Sequence, residues 1–498
     1  MSRETLVAPR VRLTATRALV PAIAWVPVML VTLFAGVALE LTAALLKYHG
    51  DELYFLASGQ HLSWGYADQG FLVPFLAWLG EQSGGSPLVV RAPAVLATMA
   101  GIVLTALIAR EFGGGRWTQT VAALAYCASP RVLDTGGLLL TQTFDIPLWI
   151  ATTLLLVRWA RTGADGLFWP MGILAGVAFT VKPLIAVFWV CCLAVLLVRG
   201  QWRTLRRPLW TLILPAAIGA LPYLLWQWQH GFPQLHLVPV VTQETSEFAG
   251  GRLTVLPLTL VTNGALIGTA LAIYGCWVLL RDKRMAPYRF LGWTSLAVLA
   301  VVIVAGGRYY YCAGLFPVCW AAGAWKIASY RGKVRWRSLI VPVSAFSAFV
   351  VLLISLATVA PHAPAWSTDV ALEAKSEQGW SQFTDTVATA YSGLPANTTI
   401  VTEHYWQASA LNWYGPARQL PPAYSPHRGF GYFGQPSDAD QQVLFVGPDA
   451  AQLHTDCTLL TTTANTPGFP GINQGVPLWL CDKPHQPWTT LWPELSHS

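Results

Sequence analysis

Repeated apolar runs constrain this chain more than any other feature, because about 20 apolar residues in a helix cross the ~30 Å hydrocarbon core of a bilayer. A chain in lipid must satisfy its backbone polar groups internally, which favours helices. Only 11% of the 498 residues are charged and 54% are hydrophobic, whereas a soluble protein carries roughly twice that charge. The sequence therefore predicts a polytopic α-helical membrane protein.

About eleven membrane spans are predicted, and the first is retained. The run from Leu19 to Leu46 is too long for the apolar region of a signal peptide, and no small-x-small cleavage site follows it. An even number of spans is the main alternative and would put the C-terminus in the cytoplasm. The predicted spans are 19–40, 88–109, 117–133, 138–157, 167–181, 183–198, 208–226, 254–280, 288–306, 309–326 and 338–360.

The basic residues set the orientation of these spans. Arg and Lys cluster in the loops that follow the second, fourth, sixth, eighth and tenth spans, all on the side of the N-terminus. The positive-inside rule makes that side cytoplasmic, so the net charge of +7 indicates orientation and not nucleic-acid binding. The prediction is a multi-pass plasma-membrane protein with a cytoplasmic N-terminus. Loops 41–87 and 227–253 and the tail then lie outside.

The tail, residues 361–498, differs from the transmembrane domain, residues 1–360. It is rich in Pro, Gly, Thr and Asn and has no spanning run. Strand-like segments at Asn397–Thr402 and Gln442–Val446 flank a helix-like segment at Trp406–Trp413, which predicts a small extracytoplasmic α/β domain.

Two cysteines, Cys457 and Cys481, are isolated in this tail. An isolated pair in an extracytoplasmic domain predicts one disulfide, and two free thiols are the alternative. The other six cysteines lie in predicted spans, where Cys behaves as a small hydrophobic residue.

Asp51 and Glu52 stand side by side just past the first span, in a chain that is short of charge. Aromatic residues follow them, and a third acid stands at Asp68. Adjacent carboxylates at a membrane face predict a site for chemistry. The alternative is a hydrated loop with ordinary solvating charge.

The run Asp51–Pro74, DELYFLASGQHLSWGYADQGFLVP, resembles a known loop. It is similar to the first extracytoplasmic loop of the bacterial relatives of protein O-mannosyltransferases, glycosyltransferase family 39. Members carry Asp-Glu after the first span and a Gly-Tyr-x-Asp before Pro-Pro-Leu. Here Gly65–Asp68 match, while Gln69 and Gly70 replace the prolines, a departure that concerns the shape of the loop and not the acid.

Further segments match the family's motifs in order, and this order makes the resemblance fairly specific. They begin at the start of the second predicted span and continue into the tail, where actinobacterial members are similar. The segments are Val90–Pro93, Phe144–Pro147, Phe179–Lys182, Trp226–Pro233, Gly307–Tyr310, Thr402–Tyr405, Ala410–Asn412 and Leu420–Ser425.

The resemblance implies the C-type membrane glycosyltransferase fold and a sugar donor linked to polyprenyl phosphate. The residue chemistry fits. Transfer to a hydroxyl needs a base for the acceptor proton, and a carboxylate within reach can serve. We expect Asp51 to be this base, with Glu52 and Asp68 as supporting carboxylates. A lipid phosphate leaving group needs fixed cations, for which Lys182, Arg308 and also Arg91 are the candidates.

Other residues are weaker candidates. Donor or sugar contacts are expected from Asp145, Tyr66, Tyr309 and Tyr310, and acceptor contacts from Glu403, His404 and Tyr405. Structural roles are open: Asp145 could cap a helix, and Arg91 could anchor a helix end by snorkelling. No metal site is expected, because His230 and His236 are lone loop histidines. No cofactor is expected either, although a divalent cation is not excluded.

The leading hypothesis is an inverting hexosyl- or pentosyltransferase that acts on the extracytoplasmic face. Its acceptor hydroxyl would belong to a protein, a cell-wall glycan or a lipid. One alternative is a non-catalytic transporter or flippase of a lipid-linked saccharide, but a transport path needs ionisable groups at mid-span, and these lie at one face. Another is a receptor-like protein whose tail binds glycan, for which eleven spans are more than an anchor needs.

Overall fold

The computed structural model describes residues 20–200, 209–330, 379–453, 455–464 and 472–496. In its membrane part it is helical throughout, because the sequence is apolar over lengths that favour spanning helices. The helices of this part are α1 (Trp25–Leu45), α2 (Gly50–Gln60), α3 (Leu72–Gln82), α4 (Pro87–Glu111), α5 (Arg116–Cys127), α6 (Pro130–Thr135), α7 (Thr141–Thr162), α8 (Phe168–Phe179), α9 (Ile185–Val198), α10 (Leu209–Gln229), α11 (Pro233–Ala249), α12 (Arg252–Gly264), α13 (Ile267–Arg281), α14 (Arg289–Ala305) and α15 (Phe316–Ser329).

Large apolar side chains cover the outer surface of these helices, as expected in lipid. Leu30, Phe34 and Val37 of α1 are each 60% or more exposed. Close helix contacts use small residues instead, since Gly176 of α8 meets Gly219 of α10 where a Cβ on either glycine would clash with the other's backbone. Small residues that let backbones approach are typical of helix packing in membranes.

Within the described residues, four helices are long and apolar enough to cross a membrane, and the bent pair α12 and α13 makes five if it counts as one span. The prediction of a helical membrane protein is thereby confirmed. The count of eleven stays a prediction, and its last span, 338–360, lies outside the described residues. The four are α1, α4, α10 and the segment Lys283–Ala305.

The structure departs from the predicted spans at several places. The span predicted at 117–133 is two helices, α5 and α6. The continuous span predicted at 254–280 is two helices that meet at 108°, broken where α12 ends at Gly264 and Ala265 has a positive φ of 48°. The predicted loop 41–87 contains the short helices α2 and α3. Hydropathy does not reveal either kind of feature, because a break within a span or a short helix in a loop leaves the local apolar content of the sequence almost unchanged.

The tail contains five strands, β1 (Thr398–Thr402), β2 (Ala423–Tyr424), β3 (Gln442–Val446), β4 (Cys457–Thr462) and β5 (Pro477–Asp482). They form one sheet with the strand order β2-β1-β3-β5-β4. Strands β1 to β3 are parallel, and β5 pairs antiparallel with β3 and β4. A disulfide joins Cys457 to Cys481 at facing positions of β4 and β5. The helices of the tail are α16 (Trp380–Tyr391), α17 (Tyr405–Tyr414) and α18 (Trp488–Leu495).

Helix α2 connects the membrane part to the tail. Its residues Leu53 and Leu56 are fully buried in one apolar cluster with Ile400 of β1 and Leu444 of β3. A continuous apolar core of this kind holds two parts in a fixed relation. The proposed boundary between residues 360 and 361 lies outside the described residues.

Candidate functional site

Asp51 lies in the first turn of α2, and local structure fixes its position. His49 caps the helix: its Nδ1 accepts a hydrogen bond from the Asp51 amide at 3.0 Å, and its own amide donates to Glu52 Oε2 at 2.9 Å. This reciprocal arrangement satisfies two amides at the helix start. Two side chains of the tail contact this carboxylate: Tyr405 Oη and Trp406 Nε1 donate hydrogen bonds to Asp51 Oδ1 at 2.8 and 2.7 Å.

Glu52 points away from Asp51, since successive residues of a helix are turned by about 100°. It is fully buried and accepts hydrogen bonds from Arg91 Nε and Nη2, at 2.9 and 2.6 Å. The Leu139 amide also donates to it, at 2.9 Å. Burial acts to raise the pKa of Glu52, but the Arg91 guanidinium and these hydrogen bonds hold it below its usual value.

Arg91 is also fully buried, and it donates to the carbonyls of Ala43, Leu46 and Lys47 where α1 ends. Neither Arg91 nor Glu52 lines the cavity beside Asp51. This geometry departs from the expected phosphate and catalytic roles, and it favours a role in which the pair fixes the start of α2.

A cavity of about 640 Å³ lies beside Asp51, between the membrane part and the tail. Side chains of both parts line it, so the site exists only where the two meet. Nine of the residues singled out from the sequence are among them: Asp51, Asp68, Lys182, Arg308, Tyr309, Tyr310, Glu403, His404 and Tyr405.

Asp68 is the second carboxylate on this cavity. Its Oδ1 accepts a hydrogen bond from Tyr54 Oη of α2 at 2.9 Å. Burial raises the pKa of Asp68, although Arg428, Tyr54 and Lys182 oppose that rise. The acid is therefore coupled to the cations that line the cavity.

Three cations line the cavity, Lys182 and Arg308 from the membrane part and Arg428 from the tail. Lys182 Nζ lies 5.1 Å from the centre of the Tyr311 ring. Glu244 accepts from Arg308 Nη2 at 2.7 Å and from Arg428 Nη2 at 2.6 Å, so it bridges the membrane part and the tail. Fixed cations of this kind can bind an anionic group by charged hydrogen bonds.

Arg428, Trp406 and Glu244 were not singled out from the sequence as site residues. Arg428 also lies over the Tyr405 ring, at 5.3 Å from its centre. The one signal that marks it is a basic residue inside the aromatic run His427–Phe433. Trp406 and Glu244 stand in no motif, because their partners are distant in the chain.

Three other expected contacts lie at the margin of the cavity or outside it. Asp145 accepts from Trp149 Nε1 at 3.1 Å, and it shares a small adjoining void with Lys182. Tyr66 is buried, and its hydroxyl accepts from the Ser63 amide in the loop after α2 and donates to the Ser58 carbonyl of α2. Tyr309 reaches the cavity but is 2% exposed, with the Arg131 guanidinium 5.3 Å from its ring. Tyr66 therefore supports the loop and does not reach the cavity.

An apolar cleft of about 210 Å³ adjoins the cavity. The two share Lys182, Gln234, Leu237, Val241 and Tyr311. Beyond these the cleft is lined almost wholly by aliphatic side chains, which include Leu184, Val187, Val298 and Val301. A charged head and an apolar chain can therefore lie side by side here.

Among the residues that the structure describes, no three His, Cys, Asp or Glu side chains are grouped as metal ligands. His230 stacks on Trp226, with ring centres 4.0 Å apart. The role of a divalent cation is therefore an open expectation, and no step below depends on one.

Residues 68–226 match the family model of dolichyl-phosphate-mannose-protein mannosyltransferase. The chain is similar to ArnT from Cupriavidus metallidurans in the apo state, with a TM-score of 0.62 and 13% identity. It is also similar to that protein bound to undecaprenyl phosphate, with a TM-score of 0.55 and 15% identity. Both matches cover 92% of this chain and 98% of the other, and at these identities they show the fold alone.

No curated protein sequence matches the chain. The resemblance to the mannosyltransferase family, predicted from the motifs, is nevertheless confirmed by the family model and by the shared fold.

Proposed function

We propose that this chain, a membrane glycosyltransferase of the C-type fold, transfers a sugar from a polyprenyl-phosphate donor to a hydroxyl acceptor on the extracytoplasmic face. One observation carries the proposal. The carboxylate of Asp51 and the cations Lys182, Arg308 and Arg428 line one cavity, and this cavity continues into an apolar cleft. A base, a phosphate site and a lipid site are the three parts that such a reaction needs.

The proposed reaction is a single displacement with inversion at the anomeric carbon. The acceptor hydroxyl oxygen attacks this carbon while its proton passes to Asp51. The bond from the anomeric carbon to the phosphate oxygen breaks, and its electron pair stays on the phosphate. Tyr405 and Trp406 both donate to Oδ1, so Oδ2, which neither bond uses, takes the proton.

The cations stabilise the charge that develops on the leaving phosphate. Fixed charges aimed at a developing anion lower the barrier, because they need no reorganisation during the reaction. Lys182 lies at the junction of the polar cavity and the apolar cleft, where the first phosphate-linked carbon of a prenyl chain would lie. ArnT from Cupriavidus metallidurans, which has the same fold, binds undecaprenyl phosphate, and this supports a donor of that class.

The remaining predicted residues take supporting roles in the proposal. Asp68, Tyr310 and Asp145 lie near Lys182 and would contact the donor sugar. Glu403, His404 and Tyr405 would face the acceptor from the tail. The Glu52–Arg91 pair positions α2.

The proposal is tested with the full-length protein in lipid nanodiscs and polyprenyl-phosphate sugars extracted from membranes. Lys182→Ala and Arg308→Ala should each raise the KM for the donor by about tenfold or more, as expected when a charged hydrogen bond to phosphate is lost. The KM for the acceptor should stay within about twofold. Arg116→Ala, an exposed cation at the start of α5, is the matched control.

An effect on acceptor KM alone would show that these cations do not bind the donor phosphate. If donor is moved across the bilayer with no sugar transferred to any acceptor, the protein is a flippase and the proposal is wrong.

A further inference from the structure

A second cavity, of about 420 Å³, lies further along the elements that line the cavity beside Asp51. No described residue lines both cavities. Three segments nevertheless connect them, because each lines the first cavity near its start and the second near its end. These segments are α2 with the residue that follows it, the helix α17, and the segment 427–434. Asp51 and His61 are ten positions apart, which places the two cavities ~15 Å apart along α2.

The second cavity has a flat wall made of two stacked rings. The His61 imidazole lies on the Phe433 ring, with ring centres 4.8 Å apart and planes 5° apart. Phe433 also packs against Tyr54 and Phe430, with ring centres at 6.1 and 5.1 Å. Because this packing holds Phe433 in place, the wall offers an apolar face at little cost in side-chain entropy. The C–H face of a sugar ring can pack on such a surface.

Uncharged polar groups accompany this wall. Among the described residues, none forms a hydrogen bond with the ring nitrogens of His61 or with the hydroxyl of Tyr424, and both side chains line the cavity. Partial burial lowers the pKa of His61, so near neutral pH its ring offers one donor and one acceptor. No described residue of the lining is Asp, Glu, Lys or Arg. The second cavity therefore suits an uncharged ligand that carries hydroxyl groups.

Hydrogen bonds to the backbone fix another part of the lining. Asn412 Nδ2 donates to the Ala423 carbonyl at 3.1 Å, and the Ala423 amide donates to Asn412 Oδ1 at 2.7 Å. These bonds join α17 to β2, and two lining residues with restricted backbones, Pro421 and Pro422, lead into that strand. The cavity is thus preformed, and a ligand would need to order little of the protein.

From these features we propose that the second cavity binds an uncharged sugar ring of the acceptor, on the same chain as the reacting hydroxyl but ~15 Å from it. The acceptor is then an extended saccharide, because a single sugar or a single amino-acid side chain does not span both cavities. Two linked contacts bind more tightly than either does alone, since the second forms within the complex. The inference rests on the proposed function, which puts the reacting hydroxyl beside Asp51.

The test uses the full-length protein in nanodiscs, with manno-, gluco- and arabino-oligosaccharides that range from single sugars to hexamers. Calorimetry without donor measures binding, and transfer from polyprenyl-phosphate sugars measures the KM for the acceptor. In at least one series we expect the hexamer to bind at least ~10-fold more tightly than the single sugar, and the KM to fall by a similar factor. His61→Ala and Tyr424→Phe should each weaken hexamer binding by ~3- to 10-fold, which corresponds to the loss of one ring contact or one hydrogen bond.

His485→Ala is the matched control, because this exposed histidine of the tail lines neither cavity, and it should change neither the affinity nor the KM. The inference is overturned if no oligosaccharide binds, if affinity and KM do not depend on length, or if both variants bind the hexamer as the parent protein does. Tighter binding of a proline-rich peptide than of any oligosaccharide would overturn it too, because aromatic grooves also bind such peptides. Length-dependent binding that both variants weaken, without any sugar transfer, would leave the second cavity as a saccharide site and count against the proposed function instead.

Discussion

Asp51→Asn is the substitution that most directly tests the proposed chemistry. The change is nearly isosteric, and an amide oxygen can still accept the hydrogen bonds from Tyr405 and Trp406, now 2.8 and 2.7 Å long. What is lost is the charge and, with it, the capacity to take a proton. The fold and the reaction should therefore respond very differently.

The expected magnitudes separate the two effects. Charged hydrogen bonds are roughly twice as strong as neutral ones, so weakening two of them should lower the free energy of unfolding by about 1–3 kcal/mol. Loss of a general base costs about 100-fold or more in rate, which corresponds to ~2.7 kcal/mol in the activation barrier. The protein should stay inserted and folded while transfer is almost abolished.

The assay is a single-turnover measurement of sugar transfer with donor in excess, alongside thermal unfolding of the same nanodisc preparation. Tyr405→Phe is the matched control, because it removes one hydrogen-bond donor to Asp51 and keeps the carboxylate. We expect its rate of sugar transfer to fall by about 2- to 10-fold, which corresponds to the loss of one hydrogen bond. If Asp51→Asn retains activity within a few-fold of the parent protein, Asp51 is not the base.

Three further predictions concern stability and topology. Arg91→Ala leaves the fully buried Glu52 without its charged partner, so it should lower the free energy of unfolding by about 3–5 kcal/mol; denaturation in nanodiscs measures this, and adding Glu52→Gln should restore part of the loss. Cys481→Ser opens a loop between cysteines 24 positions apart and should cost very roughly 3 kcal/mol in the chain-entropy model, seen as a lower unfolding temperature that reducing agent reproduces in the parent protein. A reporter fused after Ser498 should show alkaline phosphatase activity, because the basic loops follow the even-numbered spans; fluorescence from a cytoplasm-only reporter would contradict the predicted topology.

The sequence predicted much of the cavity lining, because motifs carried by loops on one membrane face are brought together by the helices between them. Asp51, Lys182 and Arg308 are far apart in the chain yet line one cavity. Glu52 shows the limit of this reasoning. Its adjacency to Asp51 in the sequence suggested that the two acids share a role. The turn of the helix instead directs the Glu52 side chain to Arg91, in the buried core.

Other features of the site depend on contacts that no local pattern encodes. Trp406 donates to a carboxylate 355 positions away, and Arg428 joins Glu244 at a separation of 184. Tertiary packing decides such pairs, and a single sequence contains no signal for them. The bend between α12 and α13 is similar, since the apolar composition of 254–280 suits one span and two short helices equally well.

The tail lines the cavity beside Asp51 and is more than a cover for it. Helices α2 and α17 both begin with a histidine cap, in which His49 pairs with Glu52 and His404 with Gln407. Both helix starts contribute residues to the same cavity, and the N-terminus of a helix favours negative charge. Asp51 is thus held between its own helix start and that of the tail. Any movement of α17 would alter the tail side of the cavity and the orientation of Asp51 together. If the proposed function holds, acceptor binding and the position of the proposed base are therefore linked.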